Sequence, residues 1–292
     1  MKWFSYDMSN LRGDLFGGLT AGVVALPLAL ALGVQSGMGA IAGLYGAIGL
    51  GVFAAIFGGT RVQISGPTGP MTVVSSLVVL NVIENTGSLE KGFGLIITVF
   101  FLAGAMLVGF GLLKVGSYIK YIPYPVVSGF MTGIGVIIIV FQFFPTLGHS
   151  SPSTIMGILQ GLPETFMSLN LDALILTGST LAIIYTFPKI TKLIPSPLVA
   201  LLLISGINAW VNLKVPLIGD IPSGFPDFRL FEWTLTGMEF GLVIKLALTL
   251  ALLGAIDSLL TSIVADNITK TKHNSNQELI GQGIGNMFAA SI

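Results

Sequence analysis

Residues 61–84 read Arg-Val-Gln-Ile-Ser-Gly-Pro-Thr-Gly-Pro-Met-Thr-Val-Val-Ser-Ser-Leu-Val-Val-Leu-Asn-Val-Ile-Glu. Ser65-Gly66-Pro67-Thr68-Gly69-Pro70 does not suit a helix interior, because two prolines remove amide donors and two glycines loosen the backbone. Yet apolar, membrane-like segments flank it on both sides. Pro70 suits the first position of a helix. The apolar run 71–83 then covers about 20 Å at roughly 1.5 Å per residue, against about 30 Å of hydrocarbon. The stretch therefore predicts a half-helix whose N-terminus opens inside the membrane. The plainer reading is a surface loop ahead of a full helix. Irregular backbone survives at membrane depth only when buried in protein or lining a cavity. A helix N-terminus facing a cavity offers free N–H groups and partial positive charge, which suits an anion.

Composition sets the environment. Of 292 residues, 53% are hydrophobic and only 9% charged, against about 25% charged in soluble domains. The chain reads as an all-α polytopic membrane protein that lives in a lipid bilayer. Formal net charge is zero, which gives no electrostatic case for nucleic acid. With no cysteine there is no disulfide or thiolate chemistry. The 38 glycines suggest close helix packing. The long first apolar run, with Asp7 and Asp14 early, predicts a retained span rather than a cleaved leader.

Working outward, full spans are predicted at 15–34, 39–57, 92–113, 125–144, 171–187, 197–211 and 238–264, with the half-helix span at 62–83. A further apolar helix starts near 277. Residues 146–170 and 212–236 read as polar connections, the first with room for a short surface helix. A cytoplasmic N-terminus places Lys2, Arg12, Arg61, Lys114, Lys120, Lys189, Lys192, Lys270 and Lys272 inside, and Lys91, Lys214 and Arg229 outside. That bias favours a cell-membrane protein in this orientation. It also starts the eighth span from the opposite side, as an inverted repeat would.

Two constellations carry chemistry. Thr68 sits just ahead of the half-helix, where its hydroxyl can join the amides of Gly69, Met71 and Thr72 in binding an anion, or can simply cap the helix. Asp257 lies inside an apolar run, at a cost of about 2.5–3.5 kcal/mol on insertion scales. Thr261, four residues on, shares its helix face. A carboxylate plus hydroxyl is a hard-oxygen site for Na+, or a proton site, or a structural bond to a neighbouring helix. Pro27 would kink the first span and free a backbone carbonyl, and is counted with the anion-binding set.

Other patterns are read as structural. Gly281-Gln282-Gly283-Ile284-Gly285 has no preceding strand and is assigned to helix packing rather than nucleotide binding. Gly39/Gly43 and Gly129/Gly133 are assigned the same way. His149 and His273 lie in connections far apart and indicate no metal site. No second mid-membrane Asp, and no mid-membrane His beside a Ser, supports an intramembrane protease; no enzyme activity and no organic cofactor is expected.

Four stretches together resemble the SulP family of anion transporters: 13–22 running on to Ala25-Leu26-Pro27, Ile64-Ser65-Gly66-Pro67-Thr68-Gly69-Pro70-Met71, 123–133 (Pro-Tyr-Pro-Val-Val-Ser-Gly-Phe-Met-Thr-Gly), and Gly254-Ala255-Ile256-Asp257-Ser258 running on to 273–283. The resemblance implies a seven-plus-seven inverted repeat, with the anion held between facing half-helices. It divides this chain into core spans at 1–121, gate spans at 122–236, and the start of a second repeat at 237–292, with span ten and a STAS domain beyond it. It also implies a homodimer. Leu28 after the proline, and Asp257 with Thr261, look like the sodium-coupled bicarbonate transporters. The resemblance thus implies Na+ as coupling ion on Asp257 and Thr261, and bicarbonate near Thr68. Sulfate or dicarboxylate transport coupled to H+ or Na+, and an uncoupled anion exchanger or channel, are the alternatives.

Overall fold

The structure is a computed structural model that describes residues 8–121, 123–152, 155–191, 194–217 and 240–292. Lys2, Lys192, Arg229 and most of the connection expected at 212–236 lie outside the described residues. The described residues contain helices and no strand. The α-helices are α1 (Leu11–Gln35), α2 (Ala40–Phe57), α3 (Gly69–Thr86), α4 (Leu89–Leu112), α5 (Tyr124–Thr146), α6 (Ile155–Met167), α7 (Leu171–Thr186), α8 (Ser196–Val211), α9 (Phe240–Thr269) and α10 (Ser275–Ala289). Each expected span is a helix, and α6 occupies the connection that had room for one. Helices α1, α2, α4 and α9, and α7 together with the turn that continues it to Lys189, are long and apolar enough to cross a membrane.

The described residues fall into two compact units. One holds 29–134 and 240–292; the other holds 8–28 and 135–217. In the second unit, Asn170 caps α7 by accepting from the N–H groups of Asp172 (3.0 Å) and Ala173 (3.2 Å). The backbone N–H of Lys214 donates to Asp172 at 3.0 Å, which ties the segment after α8 to the start of α7. Helix α1 runs through Pro27 without ending, and the boundary between the units falls one residue beyond it, after Leu28.

The first unit carries the core. Val78, Val79 and Val82 of α3, Leu95, Ile96 and Val99 of α4, Leu250, Ala251 and Leu260 of α9, and Leu279 of α10 form one buried cluster. Lipid tails are as apolar as these side chains, so the gain comes from close packing rather than from leaving water. Glycines make that closeness possible. A Cβ on Gly283 would lie 2.6 Å from the Gly104 carbonyl oxygen and 2.7 Å from the Val108 nitrogen of α4. A Cβ on Gly281 would collide with the backbone of Gly58 after α2, and one on Gly285 would meet Leu50 of α2. The glycine run of α10 is therefore a packing device, as expected. Gly43 likewise lets α2 approach Ala29 and Gly33 of α1. Gly39 does something else: with φ 92° it makes the α1–α2 turn, and an added Cβ would meet nothing within 4 Å. Gly129 and Gly133 also meet nothing within 4 Å among the described residues, so their assignment to packing finds no partner there.

Helix α3 starts where the prolines and glycines of 66–70 permit. Gly69 and Pro70 open it, and Gly87 (φ 85°) closes it with its N–H on the Ile83 carbonyl at 2.7 Å. It runs past Ile83 through Glu84, Asn85 and Thr86. At 18 residues it is about 27 Å long, more than the roughly 20 Å expected of the half-helix, and its start lies level with the middle of α9. Its N-cap, Thr68, is bonded to Asp257 of α9. Asp257 is 17 residues (257 − 240) from one end of α9 and 12 (269 − 257) from the other, roughly 26 and 18 Å at 1.5 Å per residue.

Candidate ion-binding site

A break in a membrane helix leaves backbone groups that must find partners inside the protein. Here the break is 58–68, between α2 and α3, and its partners come from α9, from α10 and from the turn before α10. Gln277 Nε2 donates to the Phe57 carbonyl oxygen at 2.5 Å, and the Asn274 N–H donates to the Gly59 carbonyl at 3.1 Å. The Gly59 N–H donates to Glu278 Oε2 at 2.9 Å. Side chains of the break are held as well. Ser262 Oγ lies 2.8 Å from Gln63 Oε1 and 2.9 Å from Thr60 Oγ1, and Gln282 Nε2 donates to Ser65 Oγ at 2.5 Å.

At the end of the break, Thr68 Oγ1 donates to Asp257 Oδ2 at 2.7 Å. Thr68 occupies the N-cap position, yet its side chain makes no capping bond. The capping role is thus replaced by a bond to the carboxylate. The N–H groups of Gly69 and Met71 lie in the first turn, where no intrahelical acceptor exists. Thr72 differs: its N–H and its Oγ1 both donate to the Thr68 carbonyl, each at 2.9 Å. It lines the site with both donors committed. Asp257 is 8% exposed. Thr261 Oγ1 donates to the Asp257 carbonyl oxygen at 2.8 Å, which leaves its lone pairs free to face a cation.

A cavity of about 770 Å³ opens here, lined by Gln63 to Thr68 of the break, by Met71 and Thr72, and by Asp257, Ser258 and Thr261. Of the residues singled out from sequence, Thr68, Met71, Thr72, Asp257 and Thr261 meet in this one cavity, with Gly69 at the start of the same helix. Pro27 lies in the second unit. Carboxylate, hydroxyl and amide groups at this spacing can hold a hard cation through oxygen and an anion through N–H.

Sequence reasoning missed Glu278, Gln282, Gln63, Ser65 and Ser262. A signal was available. A break buried in a membrane demands partners, and Glu278 and Gln282 are four apart on one face of an otherwise packed helix. His273 forms a separate feature: its Nδ1 lies 2.7 Å from Asp266 Oδ2, and its Nε2 lies 2.9 Å from Ser275 Oγ. None of the three lines the cavity, and the His273 side chain is 6% exposed. The chain of bonds clasps the α9–α10 turn.

The profile of the sulfate permease family matches residues 11–292. The chain belongs to the sulfate permease family. Within that family it is 48% identical over 286 residues to the bicarbonate transporter BicA of Picosynechococcus sp., covering 96% of this chain and 50% of that protein. It is 34% identical over 297 residues to the putative sulfate transporter YvdB of Bacillus subtilis, covering 99% of this chain and 54% of that protein. The chain thus spans about half the length of the curated relatives it matches. Among solved structures it resembles the transmembrane domain of a cyanobacterial bicarbonate transporter BicA, with TM-score 0.84 and 43% identity, over 98% of this chain and 74% of that one. As a family member it is a multi-pass membrane protein, and its all-helical architecture is that of the matched transporter.

Proposed function

We propose that this chain forms the ion-binding part of a Na+-coupled bicarbonate transporter. The 2.7 Å bond from Thr68 to Asp257 carries the reading, because it joins a helix N-terminus suited to an anion to a buried carboxylate suited to a cation. Na+ takes oxygens of Asp257 and Thr261; bicarbonate takes the N–H groups of Gly69 and Met71 and the Thr68 hydroxyl. The similarity to two proteins named bicarbonate transporters, at 48% and 45% identity, supports bicarbonate over sulfate. The lysine and arginine distribution supports a cytoplasmic N-terminus, and the family resemblance supports a homodimer. Neither catalysis nor an organic cofactor has a place in this mechanism.

Coupling follows from a single proton. The Thr68 hydroxyl has one donor. While it points at Asp257, an approaching anion meets only its lone pairs. Na+ on Asp257 takes over the carboxylate and frees the proton for bicarbonate, so each ion strengthens the other. A hydrogen bond to a charged group contributes about 1.5–3 kcal/mol, which sizes the coupling at about tenfold to a hundredfold. One Na+ entering with one bicarbonate carries no net charge, so the Na+ concentration gradient, not the membrane potential, supplies the driving force. Thr68→Val keeps the shape and removes the proton. The bicarbonate KM of this variant should rise about tenfold and lose most of its dependence on Na+, whereas Thr68→Ser should keep both. Uptake at low and high Na+ checks this; a Val variant that retains the wild-type Na+ dependence would contradict it.

The test of the whole reading is radiolabelled uptake into proteoliposomes. Bicarbonate, sulfate and a dicarboxylate are each compared with and without an inward Na+ gradient. Bicarbonate uptake that needs the gradient is expected. The second reading, sulfate transport, is favoured by the 34% identity to a putative sulfate transporter; it would be supported by sulfate uptake driven by protons without Na+. Electrogenic flux with no coupling ion would instead mean an uncoupled channel.

A further inference from the structure

Glu278 stands in the first turn of α10 and is 2% exposed. Among the described residues no basic side chain pairs with it. Both its oxygens receive hydrogen bonds instead. Oε2 accepts from the Gly59 N–H at 2.9 Å. Oε1 accepts from Ser258 Oγ at 3.2 Å and from Gln282 Nε2 at 2.9 Å. Gln282 turns its other N–H to Ser65. One carboxylate therefore holds the start of the break at Gly59, reaches the middle of the break at Ser65 through Gln282, and holds the residue next to Asp257. Ser258 and Gln282 line the cavity, but Glu278 does not. It cannot touch an ion there, and its acceptors are already engaged.

We propose that Glu278 is the positioning residue that fixes the distance between Thr68 and Asp257, and through it the affinity for both ions. This rests on the reading of the cavity as the ion site. Thr68 hangs from the break and Asp257 hangs from α9. The break has no regular structure of its own to hold Thr68 in place, so its position is set by the bonds that α9 and α10 make to it. Ser262 of α9 makes two of them, to Thr60 and Gln63; Glu278 is where those from α10 converge and are joined to α9 through Ser258. It is separated by one residue from Asp257 on one side, through Ser258, and by the break from Thr68 on the other. Removing its acceptors lets the break move relative to α9, and the ion ligands move with it.

Glu278→Gln tests this. A carboxamide has one acceptor oxygen and two donors, so it turns an N–H toward the donors that Glu278 now receives. The proposal predicts that half-saturating Na+ and the bicarbonate KM both rise about tenfold. Maximal uptake, normalised to folded protein, stays within about twofold. The double variant Glu278→Gln with Gln282→Glu exchanges the two groups. The new Gln keeps its oxygen for Gly59 and gives an N–H to the new Glu, which accepts in turn from Ser65. Both half-saturation values should return to within about threefold of wild type, as a coupled pair does in a double-mutant cycle.

The proposal is overturned if Glu278→Gln lowers only the amount of folded protein or the maximal rate, with half-saturation unchanged. It is also overturned if the exchange folds but leaves half-saturation shifted about tenfold. Should the single variant fail to fold, the exchange carries the test alone by the same two thresholds. A wild type that shows no Na+-dependent uptake would defeat the ion-site reading and this proposal together. A Na+-dependent wild type with an unshifted Glu278→Gln would defeat this proposal only.

Discussion

Asp257→Asn is expected to abolish Na+-stimulated bicarbonate uptake while leaving the protein folded. Asn has the shape of Asp and still offers an oxygen to the Thr68 hydroxyl, whose bond to Asp257 is 2.7 Å long. It lacks the charge that would hold Na+. Removing one charged partner from a buried pair costs about 2–5 kcal/mol, or about thirtyfold to more than a thousandfold in cation affinity. Uptake in proteoliposomes at fixed membrane potential measures the loss, and thermal melting of the purified variant confirms the fold. Na+ stimulation that survives at wild-type strength would remove Asp257 from the coupling site. Thr261→Ala should do less, because Thr261 supplies one neutral oxygen and its hydroxyl is already bonded at 2.8 Å to the Asp257 carbonyl.

Gly283→Val is expected to have the other large effect, on folding rather than on ions. Backbone atoms of α4 occupy the space a side chain would need, at 2.6 Å for the Gly104 oxygen and 2.7 Å for the Val108 nitrogen. Backbone cannot step aside as a side chain can, so overpacking here should cost about 3 kcal/mol or more. The folded fraction after heating, followed by size-exclusion chromatography in detergent, should fall sharply. Gly285→Ala is the milder comparison. The nearest atom to its Cβ is the Leu50 side-chain Cδ1 at 2.6 Å, which can rotate away, although the Leu50 oxygen at 3.1 Å leaves little slack. A Gly283→Val protein that melts like wild type would mean that α10 and α4 are not packed as described.

Much of this fold was legible because membrane residence simplifies the code. Apolar runs of about twenty residues announce helices, since no other open structure can satisfy its backbone in lipid. The end of the break was legible for the opposite reason: Gly66-Pro67-Thr68-Gly69-Pro70 has no place in a helix interior, only at a helix start. From there, one buried acid and one threonine led to Asp257 and Thr68, which meet at 2.7 Å. The fine geometry was not legible. Thr72 was read as offering a free amide, but an i to i − 4 bond to Thr68 uses it. Thr68 was open to a capping role, but capping competes with the carboxylate, and the carboxylate takes the hydroxyl. Gly39 was grouped with Gly43 by spacing, although positive φ and not close approach explains it. Glu278 and Gln282, though visibly four apart, were missed because the partners that give them their role, Gly59 and Ser65, lie in the break more than two hundred residues earlier.

That separation has a consequence for how the protein is made. The Gly59 backbone finds its partners at Asn274 and Glu278, 215 residues (274 − 59) further along the chain. At about 5–20 residues per second, roughly 10–40 s of translation separate the two. Throughout that interval the nascent break has polar groups with nowhere to bond in lipid. It must wait in the aqueous or protein-lined confines of the insertion machinery, or at the bilayer edge, until the α9–α10 hairpin arrives. Ribosome stalling just before residue 273 should therefore trap 58–68 in a state open to water-soluble labelling reagents, and emergence of α10 from the ribosome should close it.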